Sequence, residues 1–131
     1  MVMQPQSLDT IVATNLHADV LSDLAAALSG SIGVAPTANL NPKRTTPSMF
    51  EPIHGSAFDI AGQGIANPVG TFWSVAMLLE HIGEADAAAQ LMQAIESVTA
   101  NHELHTPDLG GDATTENVTA ALIDQIQGRN N

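Results

Sequence analysis

Two aspartates four residues apart, Asp19 and Asp23, are the first side chains along the sequence that could hold a metal ion together. Residues at i and i+4 of a helix lie on one face, and apolar side chains at helical spacing predict a helix over about residues 18–28. The pair would then sit in the first turn and a half, where the helix dipole favours anions. Two carboxylates with no basic residue nearby suit a hard cation such as Mg²⁺ or Mn²⁺. The alternative is a solvated polar face on which one aspartate caps the helix.

A loop at residues 51–60, of sequence EPIHGSAFDI, has the residue types that bind a nucleotide. The usual dinucleotide fingerprint, G-x-G-x-x-G, does not occur in the sequence. Instead, the small residues at 55–57 would let backbone N–H groups approach a phosphate or a purine edge, and the His54 ring could stack on a base. Asp59 could accept hydrogen bonds from both ribose hydroxyls and would repel a 2′-phosphate. The alternative is an ordinary glycine turn with Asp59 as its local cap.

The elements that must position these residues follow from the pattern of apolar side chains and turn residues. Strands are predicted at 10–15, 32–36 and 49–53, with a loop at 37–48 between the last two. Helices are predicted between Asn67-Pro68 and Gly83, over 85–101 and over 115–127. Strands early and helices late predict an α/β fold. Three short strands cannot cover their own edges, so we expect the sheet to be incomplete on its own.

Length and charge narrow the classes of function. The 131 residues amount to one domain's worth of sequence. The net charge is −11 with only three Lys or Arg residues, which argues against nucleic acid as a partner. No apolar run is long enough to span a membrane and no signal-peptide pattern is present, so we expect no membrane partner and a cytoplasmic location.

Two motifs together resemble the decarboxylating 2-hydroxyacid dehydrogenases, the family of isocitrate, isopropylmalate, tartrate and D-malate dehydrogenases. One is the string NLHADVLSDLAAALSGSIGVAP at residues 15–36; the other is the loop at 51–60, followed by IANP at 65–68. The resemblance implies that Asp19 and Asp23 are ligands of Mg²⁺ or Mn²⁺, which would chelate the substrate's 2-hydroxyl and neighbouring carboxylate. The chain departs from the family at His17 and Ala18, where an aromatic residue and a glycine are usual.

For the loop, the resemblance implies binding of a nicotinamide cofactor. The residues that match the adenosine-binding positions are His54, Gly55, Ser56, Ala57, Asp59, Ile60 and Asn67, with Glu51 toward the nicotinamide end. NADP-dependent isocitrate enzymes carry Lys-Tyr where this chain has Asp59-Ile60. The resemblance therefore implies NAD.

The resemblance also implies a fold and an activity. Residues 1–29 would end a dimerisation and metal-site domain, and 30–131 would form the C-terminal portion of a cofactor-binding domain, within an isopropylmalate-dehydrogenase-like fold. Segments such as ANLNP at 38–42 look most like the tartrate and D-malate branch. That branch implies oxidation of a small 2-hydroxy-dicarboxylic acid, with decarboxylation for malate-type substrates.

No catalytic residue is expected within these 131 residues. In the family, N-terminal segments supply the substrate-binding arginines, the tyrosine that acts as an acid, the catalytic lysine and a third aspartate ligand of the metal. This chain has no tyrosine and too few cations to line a dicarboxylate pocket, so we expect it to be inactive alone. We expect it to act in a homodimer or with the N-terminal part of the family's architecture. The alternatives are a non-catalytic fragment that folds or oligomerises, or the isopropylmalate branch.

Overall fold

The computed structural model describes residues 1–128 and has a mixed α/β fold. The helices are α1 (Asn15–Leu28), α2 (Val69–Ile82), α3 (Ala85–Ala100) and α4 (Thr115–Ile126). The strands are β1 (Pro36–Asn39) and β2 (Met49–Pro52), and short 3-10 turns lie at Pro5–Ser7, Ile32–Val34, His102–Leu104 and Pro107–Leu109. The α/β prediction is confirmed.

The sheet has two strands in the part of the chain that the structure describes. β1 and β2 are antiparallel, with Pro36 opposite Pro52 and Asn39 opposite Met49. The loop between them is closed by Asn41, whose backbone N–H donates to Ser48 Oγ at 2.9 Å. A hairpin of this size is marginal by itself, and its outer edges carry unpaired backbone groups. The expectation of an incomplete sheet is confirmed.

Two of the predicted strands are wrong. Residues 10–14 have no regular secondary structure and pair with no strand among residues 1–128, and α1 begins at Asn15, where the strand was expected to end. Residues 32–34 form a 3-10 turn because the Ser31 hydroxyl accepts a hydrogen bond from the Gly33 N–H at 2.9 Å, which closes the backbone locally. The strand begins instead at Pro36, the last residue of the predicted strand, and continues through residues 37–39 of the predicted loop, since this backbone pairs with β2.

The core lies between α2, α3 and α4. The helix predicted over 85–101 is confirmed as α3, and its four apolar residues at helical spacing are all buried: Ala88, Leu91, Ile95 and Val98. They pack with Val69 and Ala76 of α2 and with Val118 and Leu122 of α4. Burial of the valine, leucine and isoleucine side chains in this set contributes roughly 1.5–3 kcal/mol each relative to exposure. Gly83 ends α2 as predicted, with φ of +97° and the Glu84 N–H donating to the Leu79 carbonyl at 2.9 Å.

The first part of the chain lies outside this core. Ala26 is the one buried residue of α1, while Leu16, Val20 and Leu28 are 70%, 60% and 48% exposed. The α2–α4 core therefore forms without the apolar face of α1. The assignment of residues 1–29 to a separate domain stays a prediction. Within residues 1–128, no helix combines the length and the apolarity needed to cross a membrane.

Candidate functional site

A cleft of about 940 Å³ opens between the loop that follows β2, the 3-10 turn at Ile32–Val34 and the turn at Pro107–Leu109. Its volume lies in the range of small-molecule sites, roughly 300–1,000 Å³. Six of the eight residues predicted to bind a cofactor line it: His54, Gly55, Ser56, Ala57, Ile60 and Asn67. They lie up to 13 positions apart in sequence, and the fold brings them to one wall.

The loop from 54 to 60 has an unusual backbone conformation. Ala57 has φ of +41°, in the left-handed region that residues with a Cβ seldom adopt. A turn follows, in which the Ile60 N–H donates to the Ala57 carbonyl at 3.0 Å. Such strain costs on the order of 1–3 kcal/mol and concentrates at binding sites. A Cβ built on Gly55 would meet no atom within 4 Å, so this stretch of backbone faces open space.

The two remaining predicted cofactor residues, Glu51 and Asp59, do not line the cleft. Glu51 is exposed on β2, opposite Thr37. Asp59 is also exposed, and its backbone carbonyl accepts from Gln63 Nε2 at 2.6 Å. The structure thus leaves both carboxylates at the surface, beside the cleft wall in sequence but outside its lining.

Asp108, which was not among the residues predicted to form the site, lines the opposite wall of the cleft. Its Oδ2 accepts hydrogen bonds from the Ser31 hydroxyl and, at 3.0 Å, from Asn67 Nδ2; its Oδ1 accepts from Thr106 Oγ1 at 2.5 Å. The residue is exposed as a whole, yet these hydrogen bonds are partly buried. Sequence spacing offers no sign of this cluster, because Ser31 and Asn67 precede Asp108 by 77 and 41 residues.

Competing effects act on the pKa of Asp108. Burial is the largest single effect and raises the pKa. The hydrogen bonds from Ser31, Thr106 and Asn67, together with one from the Asp108 backbone, lower the pKa by more in total. The net pKa lies below the ordinary value of 3.8. The carboxylate is therefore ionised near neutral pH, and it is the acceptor for three side chains from three segments.

The far end of the cofactor loop is held by α4. The Thr115 N–H donates to the Gly64 carbonyl at 2.8 Å, and Thr115 Oγ1 donates to the Ala66 carbonyl at 2.5 Å. One residue later, Asn67 Oδ1 accepts from the N–H of Val69, the first residue of α2, at 3.0 Å. Residues 64–67 are thus fixed to two helices before the core begins.

The predicted metal-ligand pair lies apart from the cleft. Asp19 and Asp23 are both exposed on α1, one helical turn apart. Since α1 begins at Asn15, they are its fifth and ninth residues, and the expectation that both lie within the first turn and a half is wrong. The helix dipole has little effect that far along. Within residues 1–128, no cluster of three or more His, Cys, Asp or Glu side chains could hold a metal ion, so the pair could supply only part of a ligand set.

Comparison with known proteins settles the family. Residues 1–126 match the family model described as isocitrate/isopropylmalate dehydrogenase. The chain belongs to the isocitrate/isopropylmalate dehydrogenase family. The resemblance seen in the two sequence motifs is thereby confirmed.

Relatives within this family are longer than the chain. It is 67% identical over 130 residues to a probable tartrate dehydrogenase/decarboxylase from Agrobacterium vitis, a match that covers 99% of the chain and 36% of that protein. It is 52% identical over 126 residues to the D-malate dehydrogenase (decarboxylating) of Escherichia coli, covering 92% of the chain and 35% of the relative. The crystal structure of isocitrate dehydrogenase from Methylococcus capsulatus superposes with a TM-score of 0.90 at 45% identity, covering 99% of the chain and 38% of that structure. The chain therefore spans 35–38% of the length of these proteins.

Proposed function

We propose that this chain supplies the adenosine-binding loop and two metal ligands of an NAD-dependent, Mg²⁺- or Mn²⁺-dependent dehydrogenase. Its substrate would be a small 2-hydroxy-dicarboxylic acid such as tartrate or D-malate, with decarboxylation of malate-type substrates. The gathering of six of the eight predicted cofactor residues into one cleft is the observation that carries this proposal. The names of the Agrobacterium and Escherichia relatives support the choice of substrate class.

The cleft fits the adenosine half of NAD in size and in chemistry. Small residues line the wall at 55–57. The His54 Nδ1 lies 3.1 Å from the Gly55 carbonyl, and it donates in this contact because a carbonyl oxygen can only accept. No Lys or Arg is among the lining residues, and Asp108 places a negative charge there. A 2′-phosphate would find no cation at this wall and would be repelled by Asp108.

The other basic side chains in the described part of the chain lie away from the cleft. Lys43 and Arg44 are in the exposed loop between β1 and β2, and the Arg44 guanidinium donates to the His81 carbonyl near the end of α2. Arg129 lies outside the described residues. This distribution supports NAD over NADP.

The metal site fits in donor type. Asp19 and Asp23 provide carboxylate oxygens, the ligands that Mg²⁺ and Mn²⁺ prefer, and further ligands would come from elsewhere in the assembled protein. When bound, the metal ion would polarise the substrate's 2-hydroxyl and NAD would accept hydride from C2. The residues of this chain would hold and orient those groups, and no proton transfer is assigned to them.

This proposal has two alternatives: a different substrate within the same family, and a protein without catalytic activity. The similarity to a solved isocitrate dehydrogenase makes other 2-hydroxy acids of the family candidates, including isopropylmalate. A non-catalytic protein that retains only the fold is the second. Turnover of tartrate, D-malate, isocitrate and isopropylmalate by the full-length gene product separates these possibilities, and inactivity with all four would favour the second.

Cofactor preference is the sharpest test of the proposal. The full-length gene product should bind NAD more tightly than NADP, as measured by calorimetric titration of each. At about 5 Å in water, the repulsion between one carboxylate of the site and the doubly charged 2′-phosphate of NADP is roughly 1.5 kcal/mol, or about tenfold in affinity.

The Asp59→Ala variant should bind NAD more weakly and should prefer NAD over NADP by a smaller factor, because the loop is expected to bring Asp59 to the ribose on binding. Asp86→Ala, an exposed aspartate on α3 away from the cleft, is the matched control. Equal or tighter binding of NADP by the unaltered protein would refute the NAD assignment.

A further inference from the structure

We infer that Asp108 is a positioning residue of the cofactor site, holding the two walls of the cleft in register through its hydrogen bonds to Ser31 and Asn67. The inference rests on the proposed NAD site. It assigns a function to a residue that lies in the loop between α3 and α4, outside both sequence motifs.

The first support is the way Asp108 links the two walls. Ser31 immediately precedes the 3-10 turn whose Ile32 and Gly33 line the cleft, and its hydroxyl also accepts from the Gly33 N–H. Asn67 lines the wall formed by the cofactor loop. Both side chains donate to the same oxygen, Oδ2 of Asp108. One carboxylate therefore sets the distance between the two walls.

The second support is that Asp108 is one of the two hydrogen-bond partners that orient the Asn67 side chain. Its Oδ1 accepts from the Val69 N–H, and its Nδ2 donates to Asp108. The residue is 8% exposed, so water cannot replace the lost partner at low cost. Without Asp108, the side-chain amide would keep only its hydrogen bond from the Val69 N–H, and its orientation in the cleft would no longer be fixed.

The third support is the tightness of the cluster around Gly33. A Cβ built there would lie 2.7 Å from Asp108 Oδ2, 3.0 Å from Asn67 Cβ and 3.2 Å from Ser31 Oγ. The carboxylate thus occupies the space beside a glycine, at the point where both walls meet. A group held this closely has one position, which is what a positioning residue requires.

Asp108→Asn in the full-length gene product separates positioning from charge, because the two effects have opposite signs. NAD carries negative charge, so removal of a carboxylate from the cleft would by electrostatics alone tighten NAD binding. Loss of positioning weakens it, since the amide nitrogen that replaces Oδ1 cannot accept from Thr106, and the neutral amide oxygen accepts more weakly from Ser31 and Asn67 than a carboxylate does. We expect the dissociation constant for NAD, measured by calorimetry, to rise about fivefold, the factor that one lost hydrogen bond supplies. The KM for NAD should rise with it, while kcat at saturating NAD stays within about twofold, because Asp108 touches no reacting atom.

Two further variants complete the test. Asp112→Asn removes the same charge from an exposed side chain outside the cleft, and should leave the NAD dissociation constant unchanged. Ser31→Ala removes one donor and keeps the carboxylate, so it should weaken NAD binding without any change in charge, and it decides the matter if Asp108→Asn does not fold. Unchanged or tighter NAD binding in folded Asp108→Asn, or in Ser31→Ala when Asp108→Asn does not fold, overturns the positioning role alone. A failure of the unaltered protein to bind NAD overturns the proposed function and the positioning role together.

Discussion

Replacement of Gly33 by alanine should disturb the link between the cleft walls through a single methyl group. The new Cβ would lie 2.7 Å from Asp108 Oδ2, so the carboxylate must retreat, and the hydrogen bonds from Ser31 and Asn67 both end on that oxygen. Hydrogen bonds to a charged group contribute roughly 1.5–3 kcal/mol when buried, and these are partly exposed, which reduces each to about 1 kcal/mol. The gain from replacing a glycine whose φ is not positive offsets about 0.4–1 kcal/mol.

The net expectation for Gly33→Ala is a loss of about 1–2 kcal/mol in the free energy of unfolding, measured by urea denaturation of the full-length gene product. Gly55→Ala is the matched comparison, since its Cβ meets nothing within 4 Å and its φ is not positive. That variant should keep or slightly raise stability. It should nevertheless weaken NAD binding, because the methyl group would stand where the cofactor approaches. Equal stability of Gly33→Ala and the unaltered protein would refute the packing argument.

Three other predictions address the metal, the ionisation of Asp108 and assembly. Asp19→Asn or Asp23→Asn in the full-length gene product should abolish Mn²⁺-dependent turnover with little change in circular dichroism, since both side chains are exposed; unchanged metal dependence in both would favour a solvated helix face. Because the folded pKa of Asp108 lies below 3.8, its carboxylate stabilises the fold above about pH 4 and this contribution is lost as pH falls through the folded pKa. The stability difference between the unaltered protein and Asp108→Asn should therefore be constant near neutrality and shrink in acid, and urea denaturation across pH would show a flat difference if the reasoning is wrong. The purified 131-residue chain should self-associate in sedimentation at micromolar concentration, because α2 exposes Trp73, Val75, Leu78 and Ile82 and the sheet has open edges; a compact monomer would contradict this.

Local patterns predicted the helical half of the fold well. The i, i+3, i+7 spacing of Ala88, Leu91 and Ile95 is a property of neighbouring residues, and it fixed the buried face of α3. The strands were harder to predict, because a short apolar run does not show which other segment of the chain will pair with it. Residues 10–14 have the composition of a strand but pair with none within residues 1–128, while residues 37–39 have the composition of a loop and pair with β2.

The candidate site shows the same division between local and long-range information. The cofactor loop could be predicted because most of its residues lie within ten positions, and six of the eight predicted residues do line one cleft. The role of Asp108 could not be predicted, since its partners Ser31 and Asn67 lie far from it in sequence and come next to it only in the folded chain. The exposed positions of Glu51 and Asp59 could not be predicted either, because the order of residues in a motif does not show which side chains face the cleft.

Hydrogen exchange of the full-length gene product, with and without NAD, tests most directly whether the cleft at 54–67 is the cofactor site. We expect slower exchange of backbone amides in residues 54–67 and 31–34 when NAD is bound, and little change in α3, which is remote from the cleft. NAD binding that leaves exchange in 54–67 unchanged while protecting a different segment would contradict it.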